Sequence, residues 1–373
     1  MQSTQPALRS NSIPSVALSV PASVPVQNVH PMTTRSKAGI FKPTAFGTSK
    51  SKAAQIDYTI IEPLSFKVAT KYKQWCTIMD EEFDALTRQG TWVLVPPSPT
   101  QNVVGCKWVF KLKHNSDGII NRYKARLVAK RFHQQYGIDF DETFSLVIKP
   151  PNIRIILSLA VQFNWPLRQL DVRNAFLHGV LKEEVYMVQP QGYIDPIFPN
   201  HVCRLKKSLY FLKQAPRAWF ERFLSHLLHL GFLASLADSS LFILRHGKFL
   251  VYLLVYVDDI VLIGNCPSFL QSLILQLSSE FELKDLGPLH YFLGLQITRT
   301  FASLFLNQSK YAHDLLQRHN MLSAKPAKTP CAPNLRLVPA SRSLLVDPYL
   351  YHNIVGSLHH LTFTKPDFSF AVH

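Results

Sequence analysis

Two adjacent aspartates interrupt the most apolar stretch of the chain, residues 249–264, where Asp258 and Asp259 stand near the middle. Apolar strands on either side place the pair at a hairpin tip, where carboxylates stay solvated and face a cleft. A further carboxylate, Asp171, closes the strand-like run LRQLDV at 167–172. Carboxylates converging from separate strands are hard ligands for two Mg²⁺ ions about 3.5–4 Å apart. One ion then activates an attacking 3′-oxygen and the other steadies a leaving pyrophosphate. A bare Asp-Asp pair also makes an ordinary polar β-turn, and on spacing alone both readings stand.

Such a site needs cations, and residues 107–131 supply them. Lys107, Lys111, Lys113, Arg122, Lys124, Arg126, Lys130 and Arg131 face only Asp117. In an extended hairpin, alternation puts Lys107, Lys111 and Lys113 on one strand face, and Lys124 with Arg126 on one face of its partner. That face suits a triphosphate or a template backbone, or is simply solvated. The whole chain leans the same way: 40 Lys+Arg against 24 Asp+Glu give a net charge of +16. A polyanionic partner follows, nucleic acid first and an anionic membrane surface second.

The elements that must carry these residues are legible in outline. With 373 residues, 47% hydrophobic and 12% aromatic, the chain is not wholly disordered and has room for two or three domains. Residues 1–56 are rich in Ser and Pro, basic and without an acidic residue, which predicts a disordered tail or linker. Trp75, Met79, Glu82, Phe83 and Leu86 recur at helical spacing before Gly90. Strands are predicted at 92–95 and 291–298, a hairpin over 107–130 around Asp117-Gly118, a buried strand at 167–172 and two strands over 249–263. Helices are predicted at 152–163, 218–230 and 267–281. No βαβ rhythm or repeat appears, so the fold class is α+β.

Two adjacent carboxylates at mid-span exclude a membrane helix over 249–264. No signal peptide is legible, and five widely spaced cysteines predict free thiols in a reducing compartment.

Several ordered motifs together resemble the reverse transcriptase of copia-type LTR retrotransposons. They are KWVFK at 107–111, YKARLVAK at 123–130, QLDVRNAFLHG at 169–179, VYMVQPQG at 185–192, LKQAPRAW at 212–219, YVDD at 256–259 and YFLGLQ at 291–296. HPMTTRSKAGI at 30–40 looks like the segment joining integrase to reverse transcriptase in plant elements. The resemblance implies a right-hand polymerase of fingers, palm and thumb with an antiparallel palm sheet. Residues 57–300 would form fingers and palm, and 301–373 a thumb or connection-like segment.

Asp171, Asp258 and Asp259 would then be the catalytic, metal-holding aspartates, with two Mg²⁺ ions or Mn²⁺ in their place. Lys113, Lys124, Arg126, Phe176 and Gln214 would bind the nucleotide. Phe176 falls where the family places an aromatic gate against the sugar 2′-hydroxyl, and an ordinary core aromatic is the alternative. Leu293 and Gly294 would contact the primer. Implied partners are an RNA template, a DNA primer or RNA–DNA hybrid, dNTPs, and other Pol and Gag products. The implied setting is intracellular, in cytoplasmic virus-like particles or the nucleus.

Three positions depart from the family pattern: Phe211 and Arg131 stand where Gly is usual, and Leu146 replaces a Pro. The chain also ends before the ribonuclease H domain expected next. These marks predict a truncated or decayed copy, leaving two functions open: an active polymerase fragment or a remnant that only binds nucleic acid.

Overall fold

The computed structural model describes residues 57–115, 119–143, 148–300, 303–330 and 348–372. The tail over 1–56, Asp117-Gly118, Leu146 and Cys331 lie outside the described residues.

Trp75, Met79 and Leu86 all become buried on one face of helix α2 (Lys73–Arg88), which follows the short α1 (Phe66–Ala69). The helix stops at Gly90, whose φ of 62° lets the amides of Gly90 and Thr91 return to Thr87 and Leu86. Next come β1 (Trp92–Val95), β2 (Val103–Val104) and the hairpin of β3 (Cys106–His114) with β4 (Ile120–Ala129). Its register sets Lys111 opposite Lys124, Lys113 opposite Arg122 and Val109 opposite Arg126, so the cations of both strands share one face. The other face buries Trp108, Phe110 and Leu112. There Trp75 meets Phe110 and Tyr123 edge-on, with ring centroids 5.3 and 4.9 Å away.

The chain continues through α3 (Pro150–Gln162), β5 (Leu167–Val172), β6 (Val180–Met187), β7 (Val202–Lys207) and α4 (Ala215–His229). Then follow β8 (Leu233–Ala234), β9 (Leu241–His246), β10 (Phe249–Tyr256), β11 (Asp259–Gly264), α5 (Pro267–Glu280) and β12 (Leu283–Pro288). Six of these strands make one antiparallel sheet in the order β12-β5-β11-β10-β9-β8. On one face Leu170, Val172, Ile260 and Leu262 pack with Trp219 and Phe223 of α4 and Leu273 and Leu277 of α5. On the other, Leu167, Val261 and Ile263 pack with Ile153, Ile156 and Leu157 of α3. A sheet covered on both faces keeps no polar side, which is why β10 and β11 read as nearly unbroken apolar runs. Its edges are short or irregular: β8 has two residues, and β12 bulges between Asp285 and Gly287. A second sheet, β1-β7-β6-β2, is antiparallel except where β2 runs parallel to β6. The α+β class follows.

The run at 291–298 corrects the sequence expectation. It is two strands, β13 (Tyr291–Phe292) and β14 (Leu295–Arg299), with β15 (Leu304–Asn307) as third member of a small sheet. Leu293 and Gly294 reverse the chain with φ of 51° and 75°. Phe292, Leu295 and Ile297 are all buried on the same side of the molecule, so the sequence kept its apolar character across the reversal and hid it. Helices α6 (Ser309–Arg318), α7 (Pro348–Leu361) and α8 (Ser369–Val372) complete the described chain. Among the described residues no helix is long and apolar enough to cross a membrane, and Cys76, Cys106, Cys203 and Cys266 are free.

Candidate active site

The three aspartates expected to act together meet at one end of the six-stranded sheet. Asp171 is the cross-strand partner of Asp259 on one side and of Lys284 on the other. Residues directly opposite in antiparallel strands share a face, so these three charges line up side by side. Asp258 is exposed in the adjoining turn, and its carbonyl accepts the Val172 amide at 2.8 Å. The turn itself is one residue earlier than expected: Tyr256 pairs with Asp259, leaving Val257-Asp258 as the loop. Val257 has a φ of 56°, the positive angle that a type II′ turn requires at its first central residue. For a β-branched side chain that costs about 1–3 kcal/mol.

Mutual repulsion marks the cluster. Burial, then the Asp258 and Asp171 charges, push the Asp259 carboxyl up to about 6, against a hydrogen bond from Gln169. Burial first and the Asp258 charge second also raise Asp171, while Lys284, Arg173 and Lys124 pull it down. Among the described residues no three His, Cys, Asp or Glu side chains enclose a metal position by themselves. Mg²⁺ is commonly held by one or two carboxylates plus substrate phosphates, and Asp171 with Asp258 meets that smaller demand. A divalent cation would also offset the burial and the repulsion that raise Asp171 and Asp259, so the donor set fits.

Residues with no assigned role in the sequence hold this geometry. The Trp219 indole, 2% exposed in α4, donates to the strained Val257 carbonyl at 2.7 Å. A buried Trp needs an acceptor for its N–H, and that requirement, with its place at the end of LKQAPRAW, was its sequence signal. Gln169, also buried, donates to the Tyr291 carbonyl at 2.7 Å and so joins the carboxylate strand to β13. Its signal was an uncharged polar side chain two residues before Asp171, on the same strand face.

The proposed nucleotide residues divide into three settings. Lys113 is exposed on the hairpin, whereas Lys124 and Arg126 are half-buried. Burial and the neighbouring Arg126 and Arg122 lower Lys124, and Glu82 opposes them. Lys124 is also near enough to Asp171 to act on its charge. Arg126 lies 4.6 Å above the Tyr210 ring, and the Tyr210 hydroxyl donates to Asn174 at 2.7 Å, just beyond Asp171. Phe176 is half-buried, edge-on to Tyr210, and lines an open concavity of about 560 Å³. Phe211, Lys213 and Pro216 line it too; the aspartates do not.

Gln214 is fully buried. Its amide accepts from Gln134 at 2.9 Å and donates to the Asp139 carbonyl at 2.8 Å, so it braces the floor from behind. Phe211 has a φ of 70° and is 53% exposed, so a benzyl group projects where glycine would leave bare backbone. Leu293 and Gly294 form the turn between β13 and β14, and the Gln169 bond to the Tyr291 carbonyl joins that hairpin to the carboxylate strand.

The family model described as reverse transcriptase (RNA-dependent DNA polymerase) matches residues 89–333, which contain every site residue above except Glu82. Over 348 residues the chain is 50% identical to the Retrovirus-related Pol polyprotein from transposon RE1 of Arabidopsis thaliana, covering 93% of this chain and 23% of that one. It is 41% identical over 324 residues to the Pol polyprotein from transposon TNT 1-94 of Nicotiana tabacum, covering 83% and 24%. The chain thus spans about a quarter of the length of these relatives. It belongs to the reverse transcriptase (RNA-dependent DNA polymerase) family, in its copia-type retrotransposon branch.

Proposed function

We propose that the chain is the polymerase core of a copia-type Pol polyprotein and joins dNTPs to a primer 3′-hydroxyl on an RNA template. The six-stranded sheet with α4 and α5 is the palm, the β3–β4 hairpin the fingers, and residues 301–373 the thumb or connection. The observation that carries this reading is the register of Asp171 against Asp259 with Asp258 exposed beside them. Asp171 and Asp258 hold the divalent ions, and Asp259 adds negative charge from the next strand. Two bound Mg²⁺ ions, or Mn²⁺, supply activation of the attacking oxygen and stabilisation of the departing pyrophosphate.

Lys124 and Arg126 bind the triphosphate, with Lys113 at the outer end of the same face. Phe176 faces the sugar, Gln214 keeps the pocket floor in place, and Leu293-Gly294 lies against the primer. The setting is intracellular, with the template, primer and other Pol and Gag products as partners.

Phe211 favours a second reading, a remnant that binds nucleic acid without extending it, because its exposed ring borders the concavity that Phe176 also lines. Primer extension on poly(rA)/oligo(dT) with Mg²⁺, comparing wild type with Phe211→Gly, separates the two. Extension by wild type, abolished by EDTA, supports the polymerase. Extension by Phe211→Gly alone assigns the block to the benzyl group. Duplex binding without extension by either chain supports the remnant.

A further inference from the structure

A contact beyond the part of the chain matched by the family model ends on the Leu293-Gly294 turn. His360, near the end of α7, sets its ring Nε2 3.0 Å from the Leu293 carbonyl oxygen. A carbonyl only accepts, so Nε2 carries the hydrogen and donates. The ring also covers Gly294: a Cβ there would stand 3.2 Å from the same Nε2 and 3.5 Å from Tyr311 Cδ2. With φ positive at both central residues, the turn is of type I′, which suits Gly294 but strains Leu293.

The ring is itself held. Tyr311 of α6 meets it edge-on with centroids 4.9 Å apart, and the Tyr311 hydroxyl donates to the Ser357 carbonyl one turn earlier in α7. Gln308, 3% exposed, donates to the His360 carbonyl and accepts from Thr364. Arg154 of α3 donates to the Phe363 carbonyl at 2.6 Å, fixing the end of the same segment to the helix that packs on the main sheet.

We propose that His360 is a positioning residue for primer binding: it holds the Leu293-Gly294 turn in its left-handed form, so α7 completes the primer side of the site. The proposal rests on the reading of that turn as a primer contact. It predicts a defect confined to primer–template. Among the described residues, the bonded and ring contacts of His360 beyond its own segment are with Leu293, Gln308 and Tyr311, none on the dNTP side built from β4 and the segment after β7.

The test uses the whole chain with His360→Phe, which keeps a ring without the donor, and His360→Gln, which keeps an N–H. Amide hydrogen exchange across residues 291–297 is read beside primer extension titrated separately in primer–template and in dNTP. In His360→Phe the turn should exchange faster, and KM for primer–template should rise about three- to tenfold, the size of one neutral hydrogen bond. KM for dNTP should stay put, and His360→Gln should recover both readouts. Unchanged exchange, equal shifts in both KM values, or no recovery with Gln overturns the proposal. If His360→Phe does not fold, His360→Gln matching wild type in both readouts supports it and any selective loss in that variant overturns it. If the wild type extends no primer, the polymerase reading fails separately. Exchange, with the preference for a recessed primer–template over a blunt duplex, then decides the role of His360.

Discussion

Two tight turns of this molecule are built alike and held differently. Val257-Asp258 and Leu293-Gly294 each begin with a bulky residue at positive φ, and each offers that residue's carbonyl to a ring N–H. The first donor is Trp219, an indole sealed in the main core, which cannot titrate or change tautomer. The second is His360, from a helix far along the chain. On the proposed function, the first turn carries the charge for chemistry and the second presents backbone to the primer. The reactive end of the site would then be fixed from within one core and its recognition end by a remote segment.

The contrast breaks most visibly at the charge. Asp258→Asn should cut primer extension by at least about 10³-fold, because Asn supplies no anionic ligand, while duplex affinity stays near wild type. Extension at the wild-type rate would remove Asp258 from the site. The cations serving the same end come next. Lys124→Ala with Arg126→Ala should raise KM for dNTP about ten- to a hundredfold and flatten the salt dependence of duplex binding. A double mutant with both quantities unchanged would leave the hairpin face merely solvated.

Trp219→Phe keeps the ring and loses the donor. It should lower kcat about tenfold and stability by about 1–2 kcal/mol, with KM for primer–template unmoved. A raised primer–template KM would erase the distinction between the turns.

The smallest effect is a pH dependence. Asp259 holds its proton more tightly in the folded protein, at about 6 against 3.8, so its ionisation costs stability as pH rises through that interval. Without metal, Asp259→Asn should melt about 2 °C above wild type at pH 7.5, and the gain should shrink as pH falls from 6 towards 3.8. Mg²⁺ should stabilise wild type more than the variant. A gain constant across this range would show that neither burial nor the neighbouring carboxylates raise Asp259.

How much of this was legible varies with the range of the interaction concerned. Helix α2, the basic hairpin and the paired strands around Asp258 depend on neighbours in sequence, and their patterns gave them away. The meeting of Asp171 with Asp259 depends on β5 entering the sheet beside β11, a pairing that no local period encodes; the family resemblance supplied it. The reversal at Leu293-Gly294 was missed because the apolar pattern runs through it. Trp219, Gln169 and His360 act through backbone carbonyls, which look the same at every position of a sequence. Gln214 was assigned to the ligand, but its two hydrogen bonds are spent on Gln134 and Asp139. The positive φ at Phe211 fits the place of the family's usual glycine, so the turn survives a residue that strains it.

The irregular edges of the main sheet bear on how many copies can coexist. An exposed strand with a free row of amides and carbonyls is a template on which another molecule can add its own strand. Here β8 is too short to template more than a residue or two, and β12 ends in Pro288 after a bulge. Proline lacks the amide and the bulge breaks the repeat, so an incoming strand would lose its register within a few residues. Crowded copies of this chain are thereby discouraged from joining edge to edge, and the apolar β10 and β11 stay at the centre, where no neighbour can reach them.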